Sequence, residues 1–463
     1  MRRSHCCLVI LFIATCLRFE AQDKSSLRTP APDAECQRRA HNLKEDEKQA
    51  KRGAAAAQLE LGWLYATGCG VSQDNARAMN LYLQAADQGN AQAQNNVGWL
   101  YQKGQSVQQD YAEAAVWYRK AADKGNAQAQ NNLGWLYRQG WGMKQDYAEA
   151  AALFRKSADQ GEAAAQCNLG WLYRKGLGVT QDYSEAMMWF TRAAKQGDAQ
   201  AEANIGFMYE KGLDVPQDYE SAMNWYVKAA DQGNADAEND LGQLYLNGEG
   251  VKQDYAQALN WFTESAEQGN ADAITNIGWL YQNGFGVKQD YAEAISRYRK
   301  AAAQGNADAE NNLGWAYQNG LGVPQSNSEA MTWYRKAADH GNARAQTNLM
   351  ALILPPGQSV SGITPVCSDK GAGPCVKPPR PISMPSPEYS KEARDAKYQG
   401  TCVIGLIVDT DGLPTNVHVI SSLGKGLDEK AVEAVKSWKF EPGTKDGKPV
   451  PVQIAVEVDF RLR

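Results

Sequence analysis

A glycine recurs every 36 residues through most of the 463-residue chain, and this period restricts the possible folds more than any other feature. The eight positions are Gly62, Gly98, Gly134, Gly170, Gly206, Gly242, Gly278 and Gly314, and no insertion separates them. Units of one length follow one another from about residue 54 to residue 341. A unit this short buries its apolar face only by stacking on its neighbours.

The third unit shows how each repeat is expected to fold. Gly125 and Asn126 end one helix and begin the next, since glycine favours the position after a helix and asparagine caps the following one. The sequence AQAQNNLGWLYRQ (127–139) predicts a first helix, and Asp146 with Glu149 predicts the start of a second. Each unit is therefore predicted to be a helical hairpin, and the array an α-solenoid of eight hairpins.

Two features of these helices bear on packing. A glycine inside a helix, such as Gly134, destabilises it by roughly 0.5–1 kcal/mol relative to alanine, so close approach of the two helices is expected to offset that loss. In the second helix, adjacent aromatic residues such as Trp117 and Tyr118 do not share one face. This predicts one aromatic residue in the core and its neighbour at the surface.

The residue after each glycine is usually tryptophan, and asparagine usually stands two residues before the glycine. Helical periodicity places Leu133 and Gly134 on the core face and Trp135 on the opposite side. Asparagine suits an extended peptide backbone and tryptophan supplies flat contact area, so we predict a peptide-binding ladder on the first helices. The alternative is that each tryptophan packs on the neighbouring unit and each asparagine bonds a loop carbonyl. The predicted peptide-binding residues are Trp99, Asn132, Trp135, Asn168, Trp171, Asn276, Trp279, Asn312 and Trp315.

The repeated phrases A-x-x-x-L-G-x-x-Y-x-x-G-x-G-V and A-x-x-W-Y-x-K-A-A-x-x-G resemble the Sel-one-like repeat family, relatives of tetratricopeptide repeats. The resemblance covers nearly two thirds of the chain. It implies a right-handed superhelix that binds other proteins, with the first helices on the concave surface. With a polar leading helix and an unpaired final helix as caps, the array is predicted to span 34–354.

A second domain is predicted after the array. Residues 355–386 form a proline-rich linker, since repeated proline favours an extended spacer. Residues 387–463 then read as a short helix, two strands, an amphipathic helix, a loop and a final alternating strand. In that last strand Val452, Ile454, Val456, Val458, Phe460 and Leu462 share one face. This pattern predicts a small α+β domain with a three-stranded sheet.

The phrases ARDAKYQGTCVIGLIVDTDG, LDEKAVEAVKSWKFEPG and KDGKPVPVQIAVEVDF resemble the C-terminal domain of the TonB family. In that family the domain binds outer-membrane receptors, partly by adding a receptor segment to its sheet as an extra strand. This chain departs from the family at its N-terminus, where its only apolar segment is short. The resemblance therefore implies a TonB-like fold and partner binding, while energy transduction stays open.

Residues 1–22 begin with two arginines, Arg2 and Arg3, ahead of the apolar run CCLVILFIATCL, which predicts a secretory signal peptide. A lipoprotein signal ending at Cys16 and a retained anchor are the alternatives, and only these would associate the protein with a membrane. Export to the periplasm or cell envelope of a Gram-negative bacterium permits disulfides. Candidate pairs are Cys36 with Cys69 and Cys367 with Cys375, whereas Cys167 and Cys402 read as unpaired; free buried thiols are the alternative throughout.

The formal net charge of −5 argues against a nucleic-acid partner. The four histidines lie far apart in sequence, so no metal site or cofactor is predicted, and Ser422 of the phrase SLGK lacks the partner motifs of a Ser-x-x-Lys enzyme. The sequence thus predicts a non-enzymatic exported scaffold. Its array would bind peptide or protein segments, and its C-terminal domain an envelope partner such as an outer-membrane receptor. The alternatives are a TonB-type transport protein and, less favoured, a cell-wall enzyme.

Overall fold

The computed structural model describes residues 36, 38–353, 377, 379–445 and 447–461. The predicted signal segment 1–22, the greater part of the predicted linker and the candidate Cys367–Cys375 pair lie outside these residues. The chain divides into two compact units, the first ending at Gln253 and the second beginning at Asp254.

The described part of the first unit contains twelve helices, which alternate as the first and second helices of successive hairpins after a leading helix. They are α1 (Leu43–Lys51), α2 (Ala55–Thr67), α3 (Asn75–Asp87), α4 (Ala91–Lys103), α5 (Tyr111–Ala122), α6 (Ala127–Gln139), α7 (Tyr147–Asp159), α8 (Ala163–Lys175), α9 (Tyr183–Ala194), α10 (Ala199–Lys211), α11 (Tyr219–Asp231) and α12 (Ala235–Asn247). The predicted first helix of the third unit, 127–139, coincides with α6.

Side-chain caps fix the ends of these helices. In the third unit the Asn126 carboxamide accepts a hydrogen bond from the backbone N–H of Ala129 at 2.8 Å. The Asp146 carboxylate accepts from the N–H groups of Ala148 and Glu149 at 2.9 and 3.0 Å. Gly140 ends α6 in the left-handed conformation, with φ of 72°. The local sequence therefore sets where each helix begins and ends.

The recurring glycine of each first helix lies against an aromatic ring of the second helix. A Cβ atom added to Gly134 would lie 2.9 Å from the Phe154 ring and 3.3 Å from the carbonyl oxygen of Ala150. Seven repeats share this contact, and the nearest ring atom would lie between 2.5 and 2.9 Å from the added carbon. The pairs are Gly62–Tyr82, Gly98–Tyr118, Gly134–Phe154, Gly170–Phe190, Gly206–Tyr226, Gly278–Tyr298 and Gly314–Tyr334. The expected close approach of the two helices is thus confirmed.

The neighbouring tryptophan of the second helix varies in exposure. Trp117 and Trp189 are buried, which the prediction of a surface position did not anticipate. The indole N–H of Trp117 donates to the Glu113 carboxylate at 3.1 Å, and the Lys120 ammonium lies 3.8 Å from the ring centroid. Charged side chains one helical turn away therefore cover the ring and satisfy its donor. Trp225, Trp261 and Trp333 stay partly exposed, as predicted.

A disulfide joins Cys36 to Cys69 and so ties the segment before α1 to the loop of the first repeat. This confirms one candidate pair from the sequence. Helix α1 covers only the second half of the predicted leading helix, after a helical turn at residues 38–40. Cys167 and Cys402 are free and buried, so both are unpaired as predicted.

The second unit begins with the remaining helices of the array. They are α13 (Tyr255–Glu267), α14 (Ala271–Asn283), α15 (Tyr291–Ala302), α16 (Ala307–Asn319), α17 (Asn327–Asp339) and α18 (Ala343–Ile353). Within the described residues helix α18 is not joined by a second helix of its hairpin, and it packs Ala345 against Tyr334 and Ala337 of α17. It closes the array, as the sequence predicted.

The C-terminal domain consists of β1 (Arg380–Ser383), α19 (Lys391–Asp395), β2 (Gly400–Val408), β3 (Pro414–Ser421), α20 (Leu427–Lys436), β4 (Lys439–Glu441), β5 (Thr444–Lys445), β6 (Lys448–Pro449) and β7 (Val452–Phe460). The main sheet is antiparallel with the order β3-β2-β7, and β1–β4 and β5–β6 form two small pairs. One face of the sheet carries Ile404, Val458 and Phe460, which pack with Leu427 and Val435 of α20. The predicted three-stranded sheet is confirmed; Leu462 lies outside the described residues.

Strand β1 falls inside the segment 355–386, which the sequence assigned wholly to a linker. Arg380 pairs with Glu441 and Pro381 with Phe440. A strand at an edge tolerates proline, because an edge position does not require every backbone N–H as a donor. Proline content therefore predicted the extended conformation correctly but missed the pairing with β4.

The second face of the sheet packs on the last helices of the array. Val403 and Ala455 contact Met331 of α17 together with Leu349 and Leu352 of α18. Alternation along β2 explains this arrangement, since odd and even residues of a strand point to opposite faces. Within the second unit, the sheet is thus apolar on both sides.

Prediction for the glycine contact. Replacing Gly134 with alanine should lower the free energy of unfolding by about 1–2 kcal/mol, because overpacking against Phe154 outweighs the gain in helix propensity. Chemical denaturation followed by circular dichroism measures the change. The same substitution in a Phe154→Ala background is the control, since the ring is then absent. An equal loss in both backgrounds would show that ring contact is not the cause.

Candidate peptide-binding surface

The candidate surface is built from the first helices, and its most prominent members form what we call the tryptophan row. The row consists of the aromatic residues that directly follow seven of the eight recurring glycines, namely Trp63, Trp99, Trp135, Trp171 and Phe207 in the first unit and Trp279 and Trp315 in the second; Gln243 follows the remaining glycine. Their exposure is graded. Trp135 is buried, with 6% of its surface exposed, Trp315 is exposed at 37%, and the others lie between. The row is therefore not a uniform surface.

Trp135 is buried because a loop residue lies across it. The ring of Trp141 contacts the Trp135 ring edge-on at 4.6 Å and also lies 4.7 Å from the Tyr111 ring. The prediction that Trp135 points away from the core is wrong, since the ring belongs to the buried cluster of the third hairpin. The sequence signal that was missed is an aromatic residue between the paired loop glycines, Gly140 and Gly142.

Phe285 occupies the matching loop position in the second unit. Its ring lies 5.3 Å from Trp279 and stacks on Tyr255 at 4.8 Å. Trp315 has Leu321 at the corresponding loop position and keeps the largest exposure of the row. The loop residue therefore influences how much of each tryptophan remains available to a partner.

The asparagines bond to one another from repeat to repeat. The Asn132 amide donates to the Asn95 side-chain oxygen at 3.0 Å, and Asn168 donates to Asn131 at 3.0 Å. In the second unit the amide of Asn348 donates to Asn311 at 2.9 Å. The observed partners differ from the loop carbonyls of the alternative interpretation. Such bonds hold neighbouring first helices in register, and peptide binding by Asn132, Asn168, Asn276 and Asn312 stays a prediction.

Arginines stack on three rings of the tryptophan row. The Arg39 guanidinium carbon lies 4.3 Å from the Trp63 ring centroid, Arg138 lies 4.0 Å from Trp171, and Arg174 lies 4.4 Å from Phe207. Arg138 and Arg174 occupy the same position in successive first helices, four residues after the glycine. Asn131, Trp135 and Arg138 are spaced i, i+4 and i+7, so they lie side by side on one face of α6. Sequence analysis did not single out these arginines.

The sequence does contain a signal for them. Where the second-helix aromatic residue is tyrosine, its hydroxyl usually bonds the residue four after the glycine. Tyr118 donates to Gln102 at 2.6 Å and Tyr226 to Glu210 at 2.6 Å, and Tyr298–Gln282 and Tyr334–Gln318 repeat the pair in the second unit. In the third and fourth repeats the aromatic residue is phenylalanine and the partner position is arginine. Without a hydroxyl to meet, each arginine extends to the ring of the next repeat.

Burial is the largest influence on the pKa of Arg174. It lowers the pKa of the Arg174 guanidinium to about 10. Burial also raises the pKa of the Cys167 thiol, and the nearby Asp198 carboxylate acts in the same direction. Cys167 is therefore a neutral thiol, which lies in the field of both arginines.

Two features of the described residues bear on catalysis, the placement of metal-ligating side chains and the phrase SLGK of the C-terminal domain. Throughout residues 36–461 as described, no cluster of His, Cys, Asp and Glu is arranged to hold a metal ion. The Ser422 hydroxyl donates to the Asp428 carboxylate, which also accepts the N–H groups of Leu423 and Gly424 at 2.7 and 3.1 Å. The SLGK phrase is thus a loop fastened to the start of α20. A shallow groove beside it runs between Val419 of β3 and Val432 and Lys436 of α20.

Two family models match this chain, one over the repeat array and the other over the C-terminal domain. The Sel1 repeat model matches eight consecutive segments, 55–90, 91–126, 127–162, 163–198, 199–234, 235–270, 271–306 and 307–342, which together exceed half of the chain. The chain belongs to the Sel1 repeat family. The model of the Gram-negative bacterial TonB protein C-terminal matches residues 385–462.

Individual relatives agree with both assignments. A solved structure of c5321, a protective antigen of uropathogenic Escherichia coli, is 40% identical, covers 67% of each chain and has a TM-score of 0.50. A Sel1 repeat protein from Oxalobacter formigenes is 33% identical over 53% of this chain and 96% of that one, with a TM-score of 0.49. Protein TonB of Vibrio cholerae is 34% identical over 87 residues, which are 19% of this chain. The chain spans only 36% of that TonB relative and 30% of tonB2 of Pseudomonas aeruginosa, which is 34% identical over 82 residues.

Prediction for the tryptophan row. Trp135→Ala should lower the free energy of unfolding by about 3–5 kcal/mol, because it removes a buried ring. Trp315→Ala should lower it by less than about 1 kcal/mol, because the ring is more than a third exposed. Denaturant titration of the two variants measures both values. Equal losses would mean that exposure does not distinguish structural from available tryptophans.

Proposed function

We propose that this protein is an exported, non-enzymatic scaffold whose first helices bind peptide or protein segments and whose C-terminal domain binds an envelope partner. A protein-interaction, envelope-associated role fits the combination of Sel1 repeats with a TonB-type C-terminal domain. The observation that carries the peptide-binding part is the graded tryptophan row, in which Trp171, Trp279 and Trp315 keep exposed surface beside hydrogen-bonding side chains. Aromatic residues on a rigid helical face are typical anchors for a protein partner.

The C-terminal domain supports a second contact of a different kind. Strand β3 lies at the edge of the sheet β3-β2-β7, and its Val419 is exposed. An edge strand with free backbone groups suits strand addition by a partner segment. We infer that this edge, rather than the face buried against α17 and α18, receives the envelope partner.

A TonB-type transport role is the second candidate, and the match over residues 385–462 favours it. That role requires a membrane anchor. In the described part of the chain, none of the helices combines the length and apolar character needed to cross a membrane. Residues 1–22 lie outside that part, so the test is the N-terminus of the protein isolated from cells. An uncleaved N-terminus in the membrane fraction favours transport, and a mature form starting near residue 22 rules it out.

Prediction for partner capture. Crosslinking of the full chain in native envelopes should capture a defined partner, and Trp171→Ala combined with Trp315→Ala should reduce that capture about tenfold or more. Quantitative mass spectrometry measures the yield. Val116→Ala is the matched control, because Val116 is exposed on a second helix away from the tryptophan row.

A further variant separates the two proposed contacts. Val419→Asp places a charge beside the β3 edge and should release the envelope partner without changing capture by the array. Equal capture by the double tryptophan variant, Val116→Ala and the unmodified chain would contradict peptide binding by the tryptophan row. If Val419→Asp and the tryptophan variant lose the same partner, the two domains act on one protein.

A further inference from the structure

Two arginines in the first unit are buried without an anionic partner. Arg138 and Arg174 each expose only 7% of their surface. The Arg138 Nη1 donates to the Asn168 oxygen at 3.0 Å, and the Nε atoms of both arginines are buried with no hydrogen-bond acceptor. The Arg174 guanidinium makes no hydrogen bond or ion pair with any residue in the described part of the chain. It stacks on the ring of Phe207, with the guanidinium carbon 4.4 Å from the ring centroid.

Other arginines of the same unit behave differently. Arg39 pairs with Glu60 at 3.1 Å, Arg119 with Glu149 at 3.3 Å, and Arg155 with Glu185 at 3.7 Å. These pairs are partly exposed to solvent, where an ion pair matters least. The two arginines that most need a counter-charge therefore lack one, although a buried charge without a partner is destabilising.

The carboxylates near Arg174 do not fill this role. Asp240 acts on Arg174 electrostatically, with a smaller effect on the arginine's pKa than burial has. Asp198 caps α10 by accepting from the Ala201 N–H at 2.7 Å and interacts with the Cys167 thiol. Glu210, which follows Arg138 and Arg174 in the same register, accepts from the Tyr226 hydroxyl. Stacking on Trp171 and Phe207 covers the guanidinium faces, while the Nε donors in the plane of each guanidinium have no acceptor.

From this geometry we propose that Arg138 and Arg174 form a carboxylate-binding site within the peptide-binding surface, and that the array takes acidic peptide segments. The inference rests on the proposed peptide-binding function and names its ligand chemistry. A guanidinium presents two parallel donors that match a carboxylate, and stacking on an aromatic ring holds it in one orientation. Trp171 lies beside the site and supplies apolar contact to the same segment.

Repeat spacing restricts the ligand further. The two arginines lie on adjacent first helices, whose axes are expected to be about 10 Å apart. An extended peptide advances roughly 3.3 Å per residue, so two carboxylates about three residues apart match the spacing. The second carboxylate is either another acidic side chain or the C-terminus of the peptide.

The test uses three hexapeptides of glycine and serine on the full chain. The first has glutamate at positions two and five and capped ends, the second has glutamine at both positions, and the third adds a free C-terminal carboxylate to the second. Nuclear magnetic resonance of the arginine Nε–H and tryptophan indole N–H groups reports binding at the arginines and at the tryptophan row separately. We expect the glutamate peptide to bind about tenfold or more tightly than its glutamine counterpart.

The chain supplies its own matched variants. Arg138→Gln with Phe154→Tyr, and Arg174→Gln with Phe190→Tyr, recreate the tyrosine–glutamine pair seen at Tyr118 and Gln102. These substitutions should keep the fold, as judged by the melting temperature, and remove the preference for glutamate. Arg155→Gln removes the same charge from a second helix and should leave the preference unchanged. Arg138→Lys with Arg174→Lys keeps the positive charge but removes the paired donors. This variant should lose most of the preference for the glutamate peptide.

Each outcome decides between the claims. If the glutamate and glutamine peptides shift the indole signals equally, peptide binding stands and the carboxylate site is wrong. If no peptide shifts any signal, both are wrong. If the peptide with the free C-terminus alone binds at the arginines, the site is supported with the terminal carboxylate as its ligand. Retention of the glutamate preference by the tyrosine–glutamine variants would overturn the assignment to Arg138 and Arg174.

Discussion

The contact between a first-helix glycine and a second-helix aromatic ring is the constraint on which the array depends. At Gly134 the missing side chain allows the Phe154 ring to lie where a Cβ atom would otherwise be. That ring is fully buried, as are its counterparts Tyr118 and Phe190 in neighbouring repeats. Because the glycine weakens its own helix, packing of the ring against it offsets part of that loss. Helix formation and tertiary packing are therefore coupled inside every repeat.

The same ring also determines the chemistry of the surface. A tyrosine hydroxyl extends past the glycine and forms a hydrogen bond with the side chain one turn further along the first helix. Tyr118 donates such a bond to the side-chain oxygen of Gln102. Phenylalanine cannot do so, and in the third and fourth repeats this position carries Arg138 and Arg174 instead. In these two repeats the loss of one oxygen atom from the core accompanies a change from a neutral hydrogen-bonded side chain to a buried cation. A repeat protein can vary its surface in this way without changing its backbone.

The C-terminal domain is joined to the array by packing as well as by sequence. Its β2–β7 face covers Met331 and Leu352, and Arg335 of α17 lies 3.9 Å from Glu457. Residues along β2 point alternately to the domain's own core and to this second face. The apolar side chains on the second face are buried against α17 and α18. Ile420 of β3 packs in the same cluster as Met331, so strand addition at the β3 edge would take place beside the face that packs on the array.

The sequence by itself determined the repeat length, the helix ends and the order of elements in the C-terminal domain. These follow from local rules: Asn126 and Asp146 cap their helices, and alternation along β7 divides core from surface. It also indicated the disulfide between Cys36 and Cys69 as one option among several.

Only the tertiary structure decided which residues of the tryptophan row are available. Trp135 and Trp315 occupy the same position of the repeat, yet Trp141 in the loop covers the first, whereas the matching loop position beside the second holds Leu321. The pairing of β1 with β4 and the unpartnered burial of Arg174 likewise depend on contacts between segments far apart in sequence. A helical wheel assigns a residue to a face of its own helix. What covers that face is set by the neighbouring loop and the next repeat, which periodicity within one helix does not describe.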